Sequence, residues 1–211
     1  SKDFLVNQIE RMFEVSENAE AYADAYLCYL TEVFKKLDRK MIAAFTECLW
    51  QARESRAQIF FLGNGGSAAT ASHFANDLSI GPRDFDKPFN AKSITDNSAV
   101  MSCIGNDFGF DDIFVIQLRT QQLRRGDVVV AISASGNSPN VVKACEYARE
   151  TGATVVGLTG FDGGKLMELS HIKLHVPTDR GEYGPVEDVH MIFDHLVATY
   201  LLMRVRGELR R

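Results

Sequence analysis

The 211-residue chain has no run of lysine or arginine. Its 23 basic residues are outnumbered by 28 acidic ones, for a net charge of −5, so no basic stripe awaits a nucleic-acid backbone and direct nucleic-acid binding is not expected. No apolar stretch approaches the roughly 18 residues of a membrane span, and the first residues lack the pattern of a secretory leader. The four cysteines, Cys28, Cys48, Cys103 and Cys145, are too scattered for metal or disulfide spacing. They read as reduced core residues, and a cytoplasmic location is expected. There is no Pro- or Ser-rich linker, internal repeat or low-complexity segment. A single domain over 1–211 is expected, with 1–56 forming N-terminal helices and 57–211 an α/β core with a C-terminal helix.

What the chain does have is a strand, a glycine loop and a helix in immediate succession. Gln58 to Leu62 is short, apolar and halted by Gly63, as befits a buried parallel strand. Gly63-Asn64-Gly65-Gly66-Ser67 follows. Glycines let backbone N–H groups approach a ligand, and Ser67 is placed to cap the next helix, whose N-terminus favours an anion. The same residues fit G-x-G-x-x-A, a loose dinucleotide fingerprint, and a tight turn with no ligand is the plain alternative. The acidic partner that a dinucleotide site wants about twenty residues on, at the end of a second strand, has its nearest candidate in the more distant Asp96, so a phosphate is preferred to a dinucleotide. On the same helix His73 and Asp77 are four apart and share a face.

The N-terminal 56 residues read as helices over 3–15, 17–36 and 41–52, with Tyr22, Tyr26, Leu30, Val33 and Leu37 forming an apolar stripe wide enough to pack against a second subunit. After the glycine loop and its helix, Arg83 lies in a Pro- and Asp-rich loop from which it could reach a polar ligand. Ala91 to Thr95 reads as a strand with Asp96 at its carboxyl end, where it either faces a ligand or caps the next helix. Val128 to Ser133 is the most strand-like run. Its continuation, Ser133-Ala134-Ser135-Gly136-Asn137-Ser138-Pro139-Asn140, is a second candidate anion loop, with Ser138 as cap and Pro139 in the first helical turn. Two further strands cover 154–159 and 172–176. The last long helix, 186–205, is apolar around most of its girth and should be buried. Its polar residues, Glu187, Asp188, His190, Asp194 and His195, gather at its start, and Glu187 and His195 share a face.

Gly63-Asn64-Gly65-Gly66-Ser67, His73-Phe74-Ala75, Gly105-Asn106-Asp107, Ser135-Gly136-Asn137-Ser138, Leu158-Thr159-Gly160 with Asp162-Gly163-Gly164, and Glu187 to His195 resemble, in order and spacing, the sugar isomerase (SIS) domain. More narrowly, they are similar to bacterial phosphoheptose (sedoheptulose 7-phosphate) isomerases. The resemblance implies a flavodoxin-like three-layer α/β sandwich around a five-stranded parallel sheet. It also implies a homotetramer whose subunits complete one another's active sites. Ser67, Ser133, Ser135 and Ser138 would hold the sugar phosphate, with Asn64, Gly65, Gly66, Ala134, Asp96, Arg83 and Glu187 as further substrate-binding candidates. Asp77 and His195 take the family's catalytic positions, and His73, Asp77, Glu187 and His195 its metal-binding positions, for one zinc ion per subunit. The chain departs from the family at Asp77 for glutamate, Glu187 for glutamine, Ala134 for threonine, and Gly184 where an acidic residue is usual.

Chemistry points the same way. Moving a carbonyl between C1 and C2 needs a base, an acid and stabilisation of an enediolate, and Asp77, His195 and a polarising metal match those roles. The expected activity is aldose–ketose isomerisation of a sugar phosphate for surface-polysaccharide heptose. Two other classes compete with it. One is a silent SIS protein that binds a sugar phosphate or a partner such as the replication initiator DnaA. The other is a sugar-phosphate-sensing regulator. Retention of His73, Glu187 and His195 favours the enzyme.

Overall fold

The computed structural model describes residues 7–209. Three helices lead: α1 (Gln8–Val15), α2 (Ala19–Lys35) and α3 (Arg39–Glu54). Each start is fixed by a side chain accepting backbone N–H groups, Asn7 from Glu10, Asn18 from Ala21 and Asp38 from Lys40 and Met41. The expected first helix therefore begins at Gln8, and positions 3–6 fall outside the described residues.

The core follows as β1 (Gln58–Gly63), α4 (Gly66–Ser79), β2 (Asn90–Ser93), α5 (Ser98–Asp107), α6 (Ile113–Thr120), β3 (Val128–Ser133), α7 (Pro139–Thr151), β4 (Thr154–Thr159), α8 (Gly164–Leu169), β5 (Ile172–His175) and α9 (Tyr183–Leu209). The strands form one five-stranded sheet in the order β2-β1-β3-β4-β5. Every pairing is parallel, with Ile59 opposite Val128 and Val128 opposite Thr154. Strand side chains alternate between two cores, as a period of two requires. Ile59 and Phe61 of β1, with Val128 and Val130 of β3, pack under α3, α4 and α9. Phe60, Leu62, Val129 and Ala131 pack under α5, α6, α7 and α8. Both faces are thus covered, which is why the central strands β1, β3 and β4 read as apolar runs. No helix among the described residues is long and apolar enough to cross a membrane.

Two expectations change. The last helix is not buried all round: Val186, Val189, Phe193, Val197, Leu201 and Val205 face the core, while Ile192, Leu196, Tyr200 and Met203 are exposed. One sheet face covers only one stripe of a helix, so the second apolar stripe is left bare. It forms, with Ile42 and Ala43 of α3, an apolar groove of about 490 Å³. Of the cysteines only Cys145 is fully buried, while Cys28 and Cys103 are exposed.

Arg53 fixes the loop after α4. Its side chain is 2 % exposed, lies over the Trp50 and Phe89 rings, donates to Lys87 O at 2.9 Å and pairs with Asp84. A buried guanidinium needs such partners to offset desolvation.

His190 is wholly buried on the core side of α9, with Nε2 3.2 Å from the Thr159 carbonyl oxygen. A carbonyl only accepts, so Nε2 carries the proton and Nδ1 is bare. Burial pushes the imidazole pKa down to about 4. The unfolded chain takes up this proton near pH 6.5, earlier than the folded chain. The contribution is therefore complete above pH 6.5 and is lost as pH falls from 6.5 to 4, by on the order of 3 kcal/mol. Urea unfolding at pH 7 and pH 4.5 is expected to show a steeper loss of stability on acidification in the native chain than in His190→Gln.

Candidate active site

The strand order reverses between β1 and β3, and the loops leaving their carboxyl ends border a common crevice. After β1 the chain turns at Gly65, with φ 54° and ψ −124°, a conformation that L side chains rarely adopt. Gly65 is itself the N-cap, and α4 begins at Gly66 with no side-chain capping bond. Ser67 is therefore not the expected cap. It lies buried in the first turn and lines the crevice. After β3, Ser138 caps α7 by position, and Pro139 follows as expected. The Ser138 hydroxyl makes no capping bond and stands 3.5 Å from Ser133 Oγ. Ser133 Oγ accepts from Gly136 N and Ser135 Oγ from Asn137 N. The resulting cleft, about 160 Å³, is lined by Asn64, Ser67, Ser133, Ala134, Ser135, Ser138, Tyr183 and Glu187.

Asn64 and Asn140 exchange two side-chain hydrogen bonds, 2.9 and 3.0 Å, that tie the two loops together. Asn64 thus shapes the cleft with its amide already engaged. Glu187 enters from α9 and rests on Gly66, where an added Cβ would meet Oε2 at 2.7 Å. Partial burial, and then the charge of Asp188, raises its carboxyl above the usual range.

A second cluster lies further along α4 and α9. His73 Nε2 is 3.3 Å from Asp77 Oδ2, 3.3 Å from His195 Nε2 and 3.9 Å from Asp194 Oδ2. One ligand atom from each of His73, Asp77, Asp194 and His195 lies within 4.8 Å of the others. His73, Asp77 and His195 were expected together, and Asp194 was not. Glu187 is absent from the group. It precedes His195 by eight residues, about 12 Å of helix, and its carboxylate lies beside Gly66 instead. Asp194 is fully buried, and neither carboxylate oxygen has a hydrogen-bond partner among the described residues. Burial, and then the charge of Asp77, pushes its pKa up to about 7. Two imidazole nitrogens and two carboxylates, one of them orphaned, match the donor set of a four-coordinate zinc ion.

The remaining candidates stand apart from the cleft. Asp96 is exposed and accepts hydrogen bonds from Ser72 and Thr95, while the cap of α5 is Asn97. Arg83 is exposed in the loop held by Arg53, beyond the opposite end of α4 from the glycine loop, and does not line the cleft. Tyr183 and Asp194 were not expected at the site, and Asn140 was expected only as the end of the second loop, not as the partner of Asn64. Asp194 is overshadowed by its neighbour His195.

The SIS domain family matches residues 21–160, and a second SIS domain description matches residues 117–205. A phosphoheptose isomerase of Rhodospirillum rubrum is 41% identical over 140 residues, covering 66% of this chain and 73% of the relative. One from Mycobacterium tuberculosis is 35% identical over 173 residues, covering 82% of each. The solved structure of phosphoheptose isomerase GmhA from Neisseria gonorrhoeae superposes with a TM-score of 0.76 at 29% identity, over 86% of this chain and 97% of that one. The sheet order, the paired anion loops and these matches agree, and the chain belongs to the SIS domain family.

Proposed function

We propose that the protein is a sugar-phosphate aldose–ketose isomerase that converts sedoheptulose 7-phosphate to D-glycero-D-manno-heptose 7-phosphate, feeding lipopolysaccharide or capsule heptose synthesis. The observation that carries this reading is the two-part site. The serine cleft meets α4 at Gly66 and the His/Asp cluster meets it at His73, seven residues or about 10 Å further on. Extended covalent chains advance ~1.2 Å per bond, so a heptose phosphate held by its phosphate places C1 and C2 near the cluster.

In the cleft, the Ser67, Ser135 and Ser138 hydroxyls and the starts of α4 and α7 bind the phosphate. In the cluster, the Asp77 carboxylate takes the proton from the carbon beside the carbonyl, and the His195 imidazole returns one to the neighbouring position. A zinc ion held among these side chains would supply polarisation of the carbonyl oxygen. The histidine pair at 3.3 Å and the orphaned Asp194 favour this enzyme over a silent binding protein, which has no use for them.

Purified protein supplied with zinc is expected to turn over sedoheptulose 7-phosphate. Asp77→Asn and His195→Gln should each lower kcat by about 10²- to 10⁴-fold while sugar-phosphate affinity stays near that of the native chain. Failure of the zinc-supplied native protein to isomerise any ketose or aldose phosphate would remove the reading.

A hydrogen bond to a charged group contributes about 1.5 to 3 kcal/mol, so Ser138→Ala should weaken sugar-phosphate binding roughly ten- to a hundredfold by calorimetry.

The proposal includes a cytoplasmic homotetramer. Ile192, Leu196 and Tyr200 on α9, with Phe13, Val15 and Leu27 on the leading helices, leave more apolar surface bare than one chain covers. His73 is 45% exposed, so a neighbouring subunit has room to close over the cluster. Light scattering at micromolar concentration is expected to give four times the chain mass, and Leu196→Glu with Tyr200→Glu should dissociate the assembly.

A further inference from the structure

We propose that Asp194, and not Glu187, completes the metal-ligand set of this chain with His73, Asp77 and His195, and that Glu187 instead faces the sugar phosphate. The inference rests on the zinc-assisted reading given above and names which of this chain's own carboxylates serves it.

Three observations support the assignment. The first is position along α9. Glu187 and His195 are separated by about 12 Å of helix, whereas Asp194 adjoins His195 and brings its oxygen to 3.9 Å from His73 Nε2. Glu187 lies against Gly66, seven residues before His73 on α4.

The second is the state of the Asp194 side chain. It is 0% exposed, and both oxygens lack a hydrogen-bond partner among the described residues. A buried carboxylate without hydrogen bonds or a counter-charge is not sustained by packing alone. His190, four residues earlier on the same helix, supplies no donor either: its proton is on Nε2 toward Thr159, which leaves Nδ1 a bare acceptor. A cation at the centre of the four ligand atoms, which already lie within 4.8 Å of one another, satisfies Asp194 and separates the facing His73 and His195 nitrogens.

The third is charge. Asp77, Asp194 and a divalent ion sum to neutrality with two neutral imidazoles. If Glu187 took the fourth position, Asp194 would remain buried beside the site with neither oxygen hydrogen-bonded among the described residues. Freed from the ion, Glu187 shares the cleft with Ser67, Ser133, Ser135 and Ser138. An ionised carboxylate only accepts, so it binds hydroxyls of the sugar adjoining the phosphate.

The test is a zinc and cobalt titration of metal-free full-length protein, native and as Asp194→Asn, Asp194→Glu and Glu187→Gln, with circular dichroism to confirm folding. The native chain is expected to bind one ion per subunit. Asp194→Asn should bind it at least ~tenfold to a hundredfold more weakly. Asp194→Glu, which keeps the carboxylate, should recover binding with an altered cobalt absorption spectrum. Glu187→Gln should leave metal affinity and the cobalt spectrum unchanged while weakening sugar-phosphate binding. Metal loss in Glu187→Gln with retention in folded Asp194→Asn would overturn the assignment and leave the zinc reading standing. A native chain that takes up no zinc or cobalt would overturn both.

Discussion

The constraint on which the rest of the structure depends is the side-by-side pairing of β1 and β3, locked at its carboxyl end by the Asn64–Asn140 amide pair. Parallel strands on either side of the reversal send their connections to opposite faces, so a crevice opens there whatever the sequence. Two amides, each donating and accepting, then fix how far apart the loops stand. Everything placed on those loops inherits that spacing. The serine hydroxyls converge because the loops do, and the helix starts aim into the same space because each helix follows its strand within a few residues.

The second determinant is the contact between α4 and α9. Gly66 offers no side chain at the level of Glu187, and His73 meets Asp194 and His195 further along. Two helices in register therefore present two chemically different levels, one beside the serine-lined cleft, the other carrying two imidazoles and two carboxylates. The Phe45, Phe61 and Phe74 rings beneath α4, packed edge-on and stacked, hold that helix at its depth on the sheet.

Much of this was legible in the sequence, for identifiable reasons. The central strands β1, β3 and β4 were visible because both faces are covered, which makes them apolar runs. The glycine and serine loops were visible because their turn chemistry is local. Helical spacing paired His73 with Asp77 and Glu187 with His195, and it was the family resemblance that joined His73, Asp77 and His195 across two helices. Three features were not readable. That Gly65 rather than Ser67 caps α4 depends on a backbone conformation with no side-chain signature. The bare stripe of α9 depends on how much of a helix one sheet face can cover, which periodicity does not state. Asp194 was grouped with the other polar residues at the start of the last helix and given no role beside the more conspicuous histidine. The packing of α9 against α4 shows that it points inward, beside His73, while the Glu187 carboxylate lies by Gly66.

α9 carries three sets of residues on one cylinder: core residues such as Val197 and Leu201, the candidate site residues Glu187, Asp194 and His195, and the exposed Ile192, Leu196 and Tyr200. An extra residue between Glu187 and His195 would turn everything after it by about 100°, so all three sets would fall out of phase together. A substitution on this helix disturbs one set at a time, whereas a change of length disturbs all of them. The spacing from Glu187 to Leu201 is thus a fixed ruler for the fold, the cleft and the outer surface alike.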